Sequence, residues 1–196
     1  VDADDVQPSN INRQLPALHS TVGQSKTEIV GQRLLDINPD LTLHTVPRYM
    51  TEEDVPALLD SLLPAPQQGH RVFIVDAIDL VSCKVDLIKT AKERGIPIVS
   101  SLGTGNKRDA ERLCLCDIKK TAGCPLARVV RKELRARGIE QLDVVYSPEE
   151  PMAAEQLEAP PPGRRSVPGS LVWVPACAGL LICQHVVMKL SEFRVK

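Results

Sequence analysis

The sequence predicts an α/β fold built on a doubly wound, mainly parallel sheet. Two short runs, V-F-I-V at residues 72–75 and I-P-I-V-S at 96–100, are almost continuously apolar, which is typical of strands buried on both faces of a parallel sheet. Segments with helical spacing of apolar residues separate the predicted strands, so strands and helices alternate along the chain. This alternation indicates parallel strands joined by right-handed crossovers, and we expect residues 1–196 to form a single domain of this kind.

The first helix is predicted over residues 26–37, because its apolar residues recur at helical spacing and Asn38-Pro39 ends it. The residues S-K-T-E at 25–28 resemble a capping box, with Ser25 as the N-cap and Lys26 at the first helical position. The expected inner face carries Val30, Leu34 and Ile37. The alternating run L-T-L-H-T-V at 41–46 then predicts a short strand.

A second helix is expected after Thr51 as its N-cap, with Val55, Leu58, Leu59 and Leu62 on its apolar face. A third helix follows the strand at 72–75 and ends at Gly95, with Val81, Val85 and Ile88 directed inward. The pattern continues as a strand at 112–117, a helix at 125–137 and a strand at 142–146. Residues 147–168 are rich in Pro, Glu and Ala and indicate an exposed connection within the domain. The last helix, at 174–190, is expected to pack on the sheet, with a membrane surface as the alternative.

The composition argues against several classes of protein. The net charge is −1, from 24 basic and 25 acidic residues, so any attraction to nucleic acid must come from a local patch. The six cysteines contain no C-x-x-C pair, which favours reduced thiols in a cytoplasmic protein over a disulfide framework or a zinc site. We see no signal peptide and no uninterrupted apolar run of about 18 residues, and therefore expect no membrane span.

Lys26 is unusual because a cation at the start of a helix meets the positive end of the helix dipole. An anion is favoured at that place, so a phosphate held by the helix end, Lys26 and Arg13 would explain the lysine. The alternative is a solvated lysine, because the first helical position tolerates most residues at a small cost.

Asp76 and Asp79 stand at the carboxyl end of the strand predicted at 72–75, where open α/β sheets bind ligands. Asp79 could hold Mg²⁺ against the phosphates of a nucleotide, or it could simply cap the following helix. Asp2 could accept a hydrogen bond from a ribose hydroxyl, while Asn10, Arg13 and Lys26 grip a triphosphate. Such a set favours adenylation of a carboxylate, since positioning and charge neutralisation are most of what nucleotidyl transfer requires.

Several motifs carry a resemblance to a known family. D-A-D-D-V-Q-P-S-N-I-N-R-Q at 2–14, T-V-G-Q-S-K at 21–26 and V-D-A-I-D at 75–79 resemble the ThiF/MoeB/HesA superfamily of adenylating enzymes, which is related to ubiquitin-activating enzymes. G-T-G-N-K at 103–107 and D-I-K-K-T-A-G-C-P-L-A-R at 117–128 resemble its tRNA threonylcarbamoyladenosine dehydratase branch. The resemblance implies a Rossmann-like fold and an ATP-dependent cyclisation of the modified adenosine beside the anticodon, through an adenylated carboxylate. It also implies ATP and Mg²⁺, a tRNA substrate and a homodimer, with a sulfur-trafficking protein as a further candidate partner.

The resemblance also assigns residues. The family's ribose-binding aspartate falls on Asp2, its nucleotide motif on Ser9, Asn10 and Arg13, its phosphate-binding lysine on Lys26 and its metal-associated aspartate on Asp79. Arg13 and Lys26 would stabilise the α-phosphate during reaction, so these two and Asp79 are the predicted catalytic residues. The superfamily's first strand and glycine-rich phosphate loop would precede Val1, so we expect an N-terminally truncated sheet that lacks both.

Two alternative functions stay open. One is an adenylyltransferase that activates a ubiquitin-like sulfur carrier, although such relatives often have zinc-binding C-x-x-C pairs that this sequence lacks. The other is a non-catalytic α/β dimerisation module.

Two further features of the sequence have both a functional and a structural interpretation. Cys124 could form a thioester, as a thiol does in some relatives, or be structural. A basic segment is the predicted tRNA-backbone patch, with plain surface solvation as its alternative: Lys119, Lys120, Arg128, Arg131 and Arg135.

Overall fold

A computed structural model describes residues 1–63, 69–153 and 168–191 of the chain. The chain separates into two compact units, Val1–Ala65 and Pro66–Lys196. Most of the predicted proline-rich connection, residues 154–167, lies outside the described residues.

The first unit contains two α-helices, α1 over Lys26–Ile37 and α2 over Val55–Leu62. The N-terminal segment reaches the start of α1 through a single antiparallel bridge between Asp5 and Ser25. The prediction of a strand at 41–46 is wrong, because these residues form no β-strand. The backbone N–H of Asp2 donates to the carbonyl of Val46 at 3.2 Å. A strand needs a repeated ladder of such bonds, and alternating sequence alone does not supply the partner.

Helix α1 begins where the sequence predicts but buries another surface, whereas α2 buries the predicted face but begins at Val55, later than a cap at Thr51 would place it. Gly31 is the buried residue of α1, whereas the residues predicted to face inward are exposed: Val30, Leu34 and Ile37. The reason is local, since a Cβ on Gly31 would lie 3.0 Å from Leu43 Cδ2, so the 41–46 segment approaches α1 through the glycine. In α2 the N-cap is Asp54, whose Oδ2 accepts from the hydroxyl of Thr51 at 2.8 Å; the buried residues are Val55, Leu58 and Leu59.

The second unit is organised by a four-stranded sheet in the order β1-β2-β4-β3. The strands are β1 over Ile74–Asp76, β2 over Ile98–Ser101, β3 over Cys114–Asp117 and β4 over Asp143–Tyr146. The first three in spatial order are parallel, while β3 runs antiparallel to β4 at one edge. The predicted doubly wound, mainly parallel sheet is confirmed, with strands one or two residues shorter than the apolar runs.

Helices cover both faces of this sheet. They are α3 over Val81–Glu93, α4 over Pro125–Ala136 and α5 over Trp173–Ser191. Ser100 of β2 contacts Lys84 on α3, whereas its neighbour Val99 packs with Ala178 of α5. Because successive side chains of a strand point to opposite faces, α3 and α5 lie on opposite sides of the sheet.

The last helix, α5, packs on the sheet as expected. Val174, Ala178 and Ile182 form a buried cluster with residues of β2 and β4 and with Leu113. Among the described residues α5 is also the one helix whose 19 residues and mean hydropathy of 1.4 would suit a membrane span by length and composition alone. Its docked face agrees with a helix that covers the sheet.

Candidate functional site

Two of the predicted nucleotide-binding residues of the first unit line one cavity. Asp2 and Lys26 border a cavity of about 570 Å³, together with Gln14 and the residues of α1 around Gly31. Asp2 Oδ1 accepts from the backbone N–H of Asp4 at 2.9 Å, which fixes the carboxylate. A cavity lined by a carboxylate and an ammonium can bind a ligand that has both hydroxyl and anionic groups.

Lys26 occupies the first position of α1, as predicted, but the capping box around it is wrong. The hydroxyl of Ser25 lies 2.9 Å from that of Thr27, and the N-cap makes no side-chain hydrogen bond to the helix. Instead, the N–H of Lys26 donates to the carbonyl of Asp4 at 3.1 Å, and its Nζ donates to the Asp4 carboxylate at 2.9 Å. Asp4, which the sequence reasoning missed, therefore balances the cation at the helix start and would share it with any phosphate.

The other predicted residues of this unit form a compact turn. The guanidinium of Arg13 donates to the carbonyl of Ser9 at 2.8 Å and to Asn12 Oδ1 at 3.0 Å. Asn10 is buried, and its Oδ1 accepts from the N–H of Gln7 at 3.1 Å. These contacts hold the loop that carries Arg13, although Arg13 is absent from the described lining of the cavity that contains Lys26.

Asp79 lies in the second unit, after the carboxyl end of β1. It lines a cavity of about 370 Å³ with the loop that follows β2 and the N-terminus of α4. The N-cap of α3 is Leu80 and the helix begins at Val81, so Asp79 lies one residue before the cap position. The carboxylate is thus positioned at the edge of the sheet where parallel strands end, as predicted.

A buried network supports the segment that leads to Asp79. Lys84 Nζ donates to Asp76 Oδ2 at 2.8 Å, to Ser100 Oγ at 3.1 Å and to the carbonyl of Ser101 at 3.0 Å. Asp76, Lys84 and Ser100 are each 0% exposed. Burial lowers the pKa of Lys84, while the charges of Asp76 and then Asp79 oppose that shift. The ammonium ties α3 to the ends of both β1 and β2.

Two more residues of the second cavity come from loops that converge there. Lys107 is buried, and its Nζ has no hydrogen-bond partner among the described residues. Cys124 is the N-cap of α4, and its Sγ accepts from the N–H of Ala127 at 3.5 Å. Gly123 precedes it with φ of 71°, a conformation that favours glycine, and a Cβ there would clash with the carbonyl oxygen of Pro148.

The cysteines are all free thiols in different surroundings. The contacts of Cys124 fit its structural interpretation as a helix cap. Burial, and then the neighbouring Cys114, raise the pKa of Cys116 to about 11, so that thiol is poorly nucleophilic near neutral pH. No group of three or more His, Cys, Asp or Glu residues that could hold a metal occurs within residues 1–63, 69–153 and 168–191.

The predicted basic patch is only partly exposed. Arg131 is directed inward, where its Nη1 donates to the carbonyl of Thr121 at 2.7 Å and to that residue's hydroxyl. Arg131 therefore anchors α4 to the preceding turn and is not part of an open surface. Lys119 pairs with Glu140 at 3.0 Å. The exposed cations of this region are Lys119, Lys120, Arg128, Lys132, Arg135 and Arg137, of which Arg137 pairs with Glu133 at 2.8 Å.

The structure thus groups the predicted site residues in two sets. Asp2 and Lys26 share a cavity in the first unit, where Ser9, Asn10 and Arg13 form the adjoining turn. Asp79 shares a cavity with Lys107 and Cys124 in the second unit. That both sets address a single polyphosphate stays a prediction.

Comparisons of the sequence and of the structure with known proteins lead to the same family. A sequence model of the ThiF family matches residues 1–195. The tRNA threonylcarbamoyladenosine dehydratase of Bacillus subtilis (strain 168) is 38% identical over 201 residues, which cover 98% of this chain and 76% of that protein. The tRNA threonylcarbamoyladenosine dehydratase 2 of Saccharomyces cerevisiae is 36% identical over 77% of this chain and 33% of its own length. The crystal structure of the E. coli tRNA N6-threonylcarbamoyladenosine dehydratase in complex with ATP is 29% identical, with a TM-score of 0.80 over 97% of this chain and 74% of that chain.

Proposed function

This chain belongs to the ThiF family, and from that premise we propose that it is an ATP-dependent tRNA threonylcarbamoyladenosine dehydratase. The observation that carries the proposal is the 38% identity to the Bacillus subtilis dehydratase over almost the whole chain. The proposed reaction cyclises the modified adenosine beside the anticodon. ATP is needed because an oxygen of an unactivated carboxylate is a poor leaving group, and adenylation converts it into a good one, AMP.

We assign ATP to the residues of the first unit. One carboxylate oxygen of Asp2 accepts a hydrogen bond from the N–H of Asp4, so the second oxygen can accept one from a ribose hydroxyl. Lys26 and Arg13 carry the positive charge for the phosphates, and Ser9 and Asn10 shape the turn that holds Arg13. The E. coli relative has been solved with ATP, the substrate of an adenylation, and with AMP, which leaves when the acyl-adenylate is attacked.

Mg²⁺ fits the chemistry of Asp79. Mg²⁺ prefers oxygen ligands and usually shares one or two carboxylates with the phosphates of a substrate, so it needs no dedicated cluster of protein ligands. Asp79 provides such a carboxylate on the second cavity. When bound, the ion would neutralise the pyrophosphate that leaves.

The reaction proceeds in two displacements. First, an oxygen of the threonylcarbamoyl carboxylate attacks the α-phosphorus of ATP and pyrophosphate leaves, which gives an acyl-adenylate. The carbamoyl oxygen then attacks the activated acyl carbon and AMP leaves, which closes the ring with net loss of water. Arg13 and Lys26 stabilise the negative charge that gathers on the α-phosphate in both steps.

The tRNA is assigned to the exposed cations of the second unit. Arg128, Lys132 and Arg135 recur at helical spacing along the exposed side of α4, with Lys119 and Lys120 beside them. Recognition through phosphates suits a chain with few aromatic residues for stacking. We further propose a homodimer that works in the cytoplasm, with a sulfur-trafficking protein as a possible additional partner.

The test measures AMP release from ATP with tRNA that carries threonylcarbamoyladenosine, and with unmodified tRNA as a blank. Arg13→Ala and Asp79→Ala should abolish release while far-UV circular dichroism stays unchanged. Arg33→Ala, an exposed arginine on α1, is the matched control and should retain activity. Activity retained by Arg13→Ala would remove that residue's assigned role. ATP–pyrophosphate exchange with a ubiquitin-like carrier but not with tRNA would favour the sulfur-carrier alternative, and no ATP binding by calorimetry would favour the dimerisation module.

A further inference from the structure

Lys107 is a buried cation of the second unit. The residue is 2% exposed, and its Nζ has no hydrogen-bond partner among the described residues. Burial lowers the pKa of Lys107, while neighbouring Cys124 and Glu149 oppose that shift. Buried ammonium groups are nearly always paired with an acceptor. The Nζ of Lys107 is therefore a candidate to bind an anionic ligand.

Two acceptors in the loops around Lys107 have other hydrogen-bond partners. Glu149 accepts from the backbone N–H groups of Arg108 at 3.0 Å and Asp109 at 3.1 Å, and its Oε1 also lies 3.6 Å from Arg108 Nε. Asn106 Oδ1 accepts from the N–H of Gly169 at 2.6 Å. The loop around Lys107 is therefore held in place by bonds that do not involve the ammonium.

The cavity that Lys107 lines has a second positive feature. It is bordered by the N-terminus of α4, a helix of 12 residues whose dipole favours an anion at this end. The cap of that helix is a thiol, Cys124, and the bond from Ala127 N–H to its Sγ is long at 3.5 Å. The helix end thus lacks the strong oxygen acceptor that Ser, Asp or Asn would supply at this place.

The shape and the remaining walls favour a small monoanion. The cavity of about 370 Å³ is near the lower limit for ligand pockets, which run from about 300 to 1,000 Å³. Ile78, Leu102 and Leu126 give it apolar walls. Asp79 lies on the same cavity, and its charge would repel a dianionic phosphate without an accompanying metal more strongly than a carboxylate.

We propose that this cavity, the Lys107 pocket, binds the carboxylate of the N-carbamoyl amino acid group that is activated. The proposal rests on the function proposed above and names the residues that hold the group to be adenylated. Lys107 Nζ and the N-terminus of α4 hold one carboxylate oxygen and leave the other to attack the α-phosphorus. The apolar walls hold the aliphatic part of the side chain. When the carbamoyl oxygen attacks, the same ammonium stabilises the acyl oxygen as it gains negative charge.

The test uses the full chain and a free probe, N-carbamoyl-L-threonine, titrated by calorimetry alongside ATP. Lys107→Met should weaken binding of the probe by about 10- to 150-fold, the range for a lost hydrogen bond to a charged group, and leave the affinity for ATP within about twofold. Lys107→Arg should restore part of the loss because it keeps the charge. Lys89→Met, an exposed lysine on α3, is the matched control and should bind as the wild type does.

Kinetics with the modified tRNA provide the second readout. Lys107→Met should raise KM for the tRNA or lower kcat while KM for ATP stays unchanged; Lys107→Gln is the substitute should the methionine variant fail to fold. Probe binding that is unaffected in both variants would overturn the proposal, as would tighter binding of inorganic phosphate than of the probe. Failure of the proposed function is separate, since it would appear as a wild-type chain that neither binds ATP nor releases AMP.

Discussion

Replacing Lys84 by methionine should destabilise the protein strongly. Lys84 makes three hydrogen bonds at 2.8, 3.0 and 3.1 Å, and both it and Asp76 are 0% exposed. Methionine fills most of the space but leaves the Asp76 carboxylate without a counter-ion. Breaking one partner of a buried pair costs about 3–5 kcal/mol. Asp76 would keep the N–H of Ile78 and the hydroxyl of Ser100, so we expect the lower end, about 3 kcal/mol.

Urea unfolding followed by far-UV circular dichroism measures this loss directly. For a chain of this size about 3 kcal/mol corresponds to a drop in Tm of roughly 6–12 °C. Lys89→Met, on the exposed side of the same helix, should change the free energy of unfolding by less than about 0.5 kcal/mol. Adding Asp76→Asn to Lys84→Met removes the unpaired charge and should recover part of the loss. A Lys84→Met variant within about 1 kcal/mol of wild type would contradict a stabilising role for the ion pair, as would a double variant that is less stable than Lys84→Met.

Two further predictions concern the loops around the second cavity. Gly123→Ala should cost more stability than Gly138→Ala: both glycines have positive φ, but the new Cβ clashes with the Pro148 carbonyl at 123 and meets nothing within 4 Å at 138. Equal Tm values for the two variants would contradict this. Hydrogen bonds from Arg108 and Asp109 lower the pKa of Glu149 below its ordinary 4.5, so its contribution to stability is complete above pH 4.5 and is lost as the pH falls through the lower folded value. The difference in unfolding free energy between wild type and Glu149→Gln should therefore shrink on acidification, and a pH-independent difference would refute the assignment.

Much of the second unit follows from its sequence because its apolar runs correspond to strands, although burial on both faces is confirmed for β2 and not for β1, where Val75 is 48% exposed. The runs at 72–75 and 96–100 are contiguous and apolar, and they correspond to β1 and β2. The same reasoning fails in the first unit. Periodicity identified an apolar face on α1 but not what covers it, and Gly31 rather than Val30 makes the close contact.

The residues of the candidate site also differ in whether the sequence could predict them. Asp2, Lys26 and Asp79 could be found from motifs that resemble a family, whereas the partner of Lys26 could not, because the ion pair with Asp4 spans 22 positions of the chain. Lys107 was missed for a related reason, since burial of a loop lysine depends on how distant loops converge. Lys84 did leave a signal: it falls at helical spacing from Val81 and Ile88, on the face predicted to point inward.

The placement of α5 has a consequence for biosynthesis. This helix follows all four strands along the chain, yet it covers Val99 and Val145 at the middle of the sheet. A ribosome delivers the strands first, so one apolar side of the sheet stays open to water and to chaperones until residues 174–182 have emerged. Nascent chains arrested before that point should therefore be prone to aggregate, and the second unit should complete its folding late in synthesis.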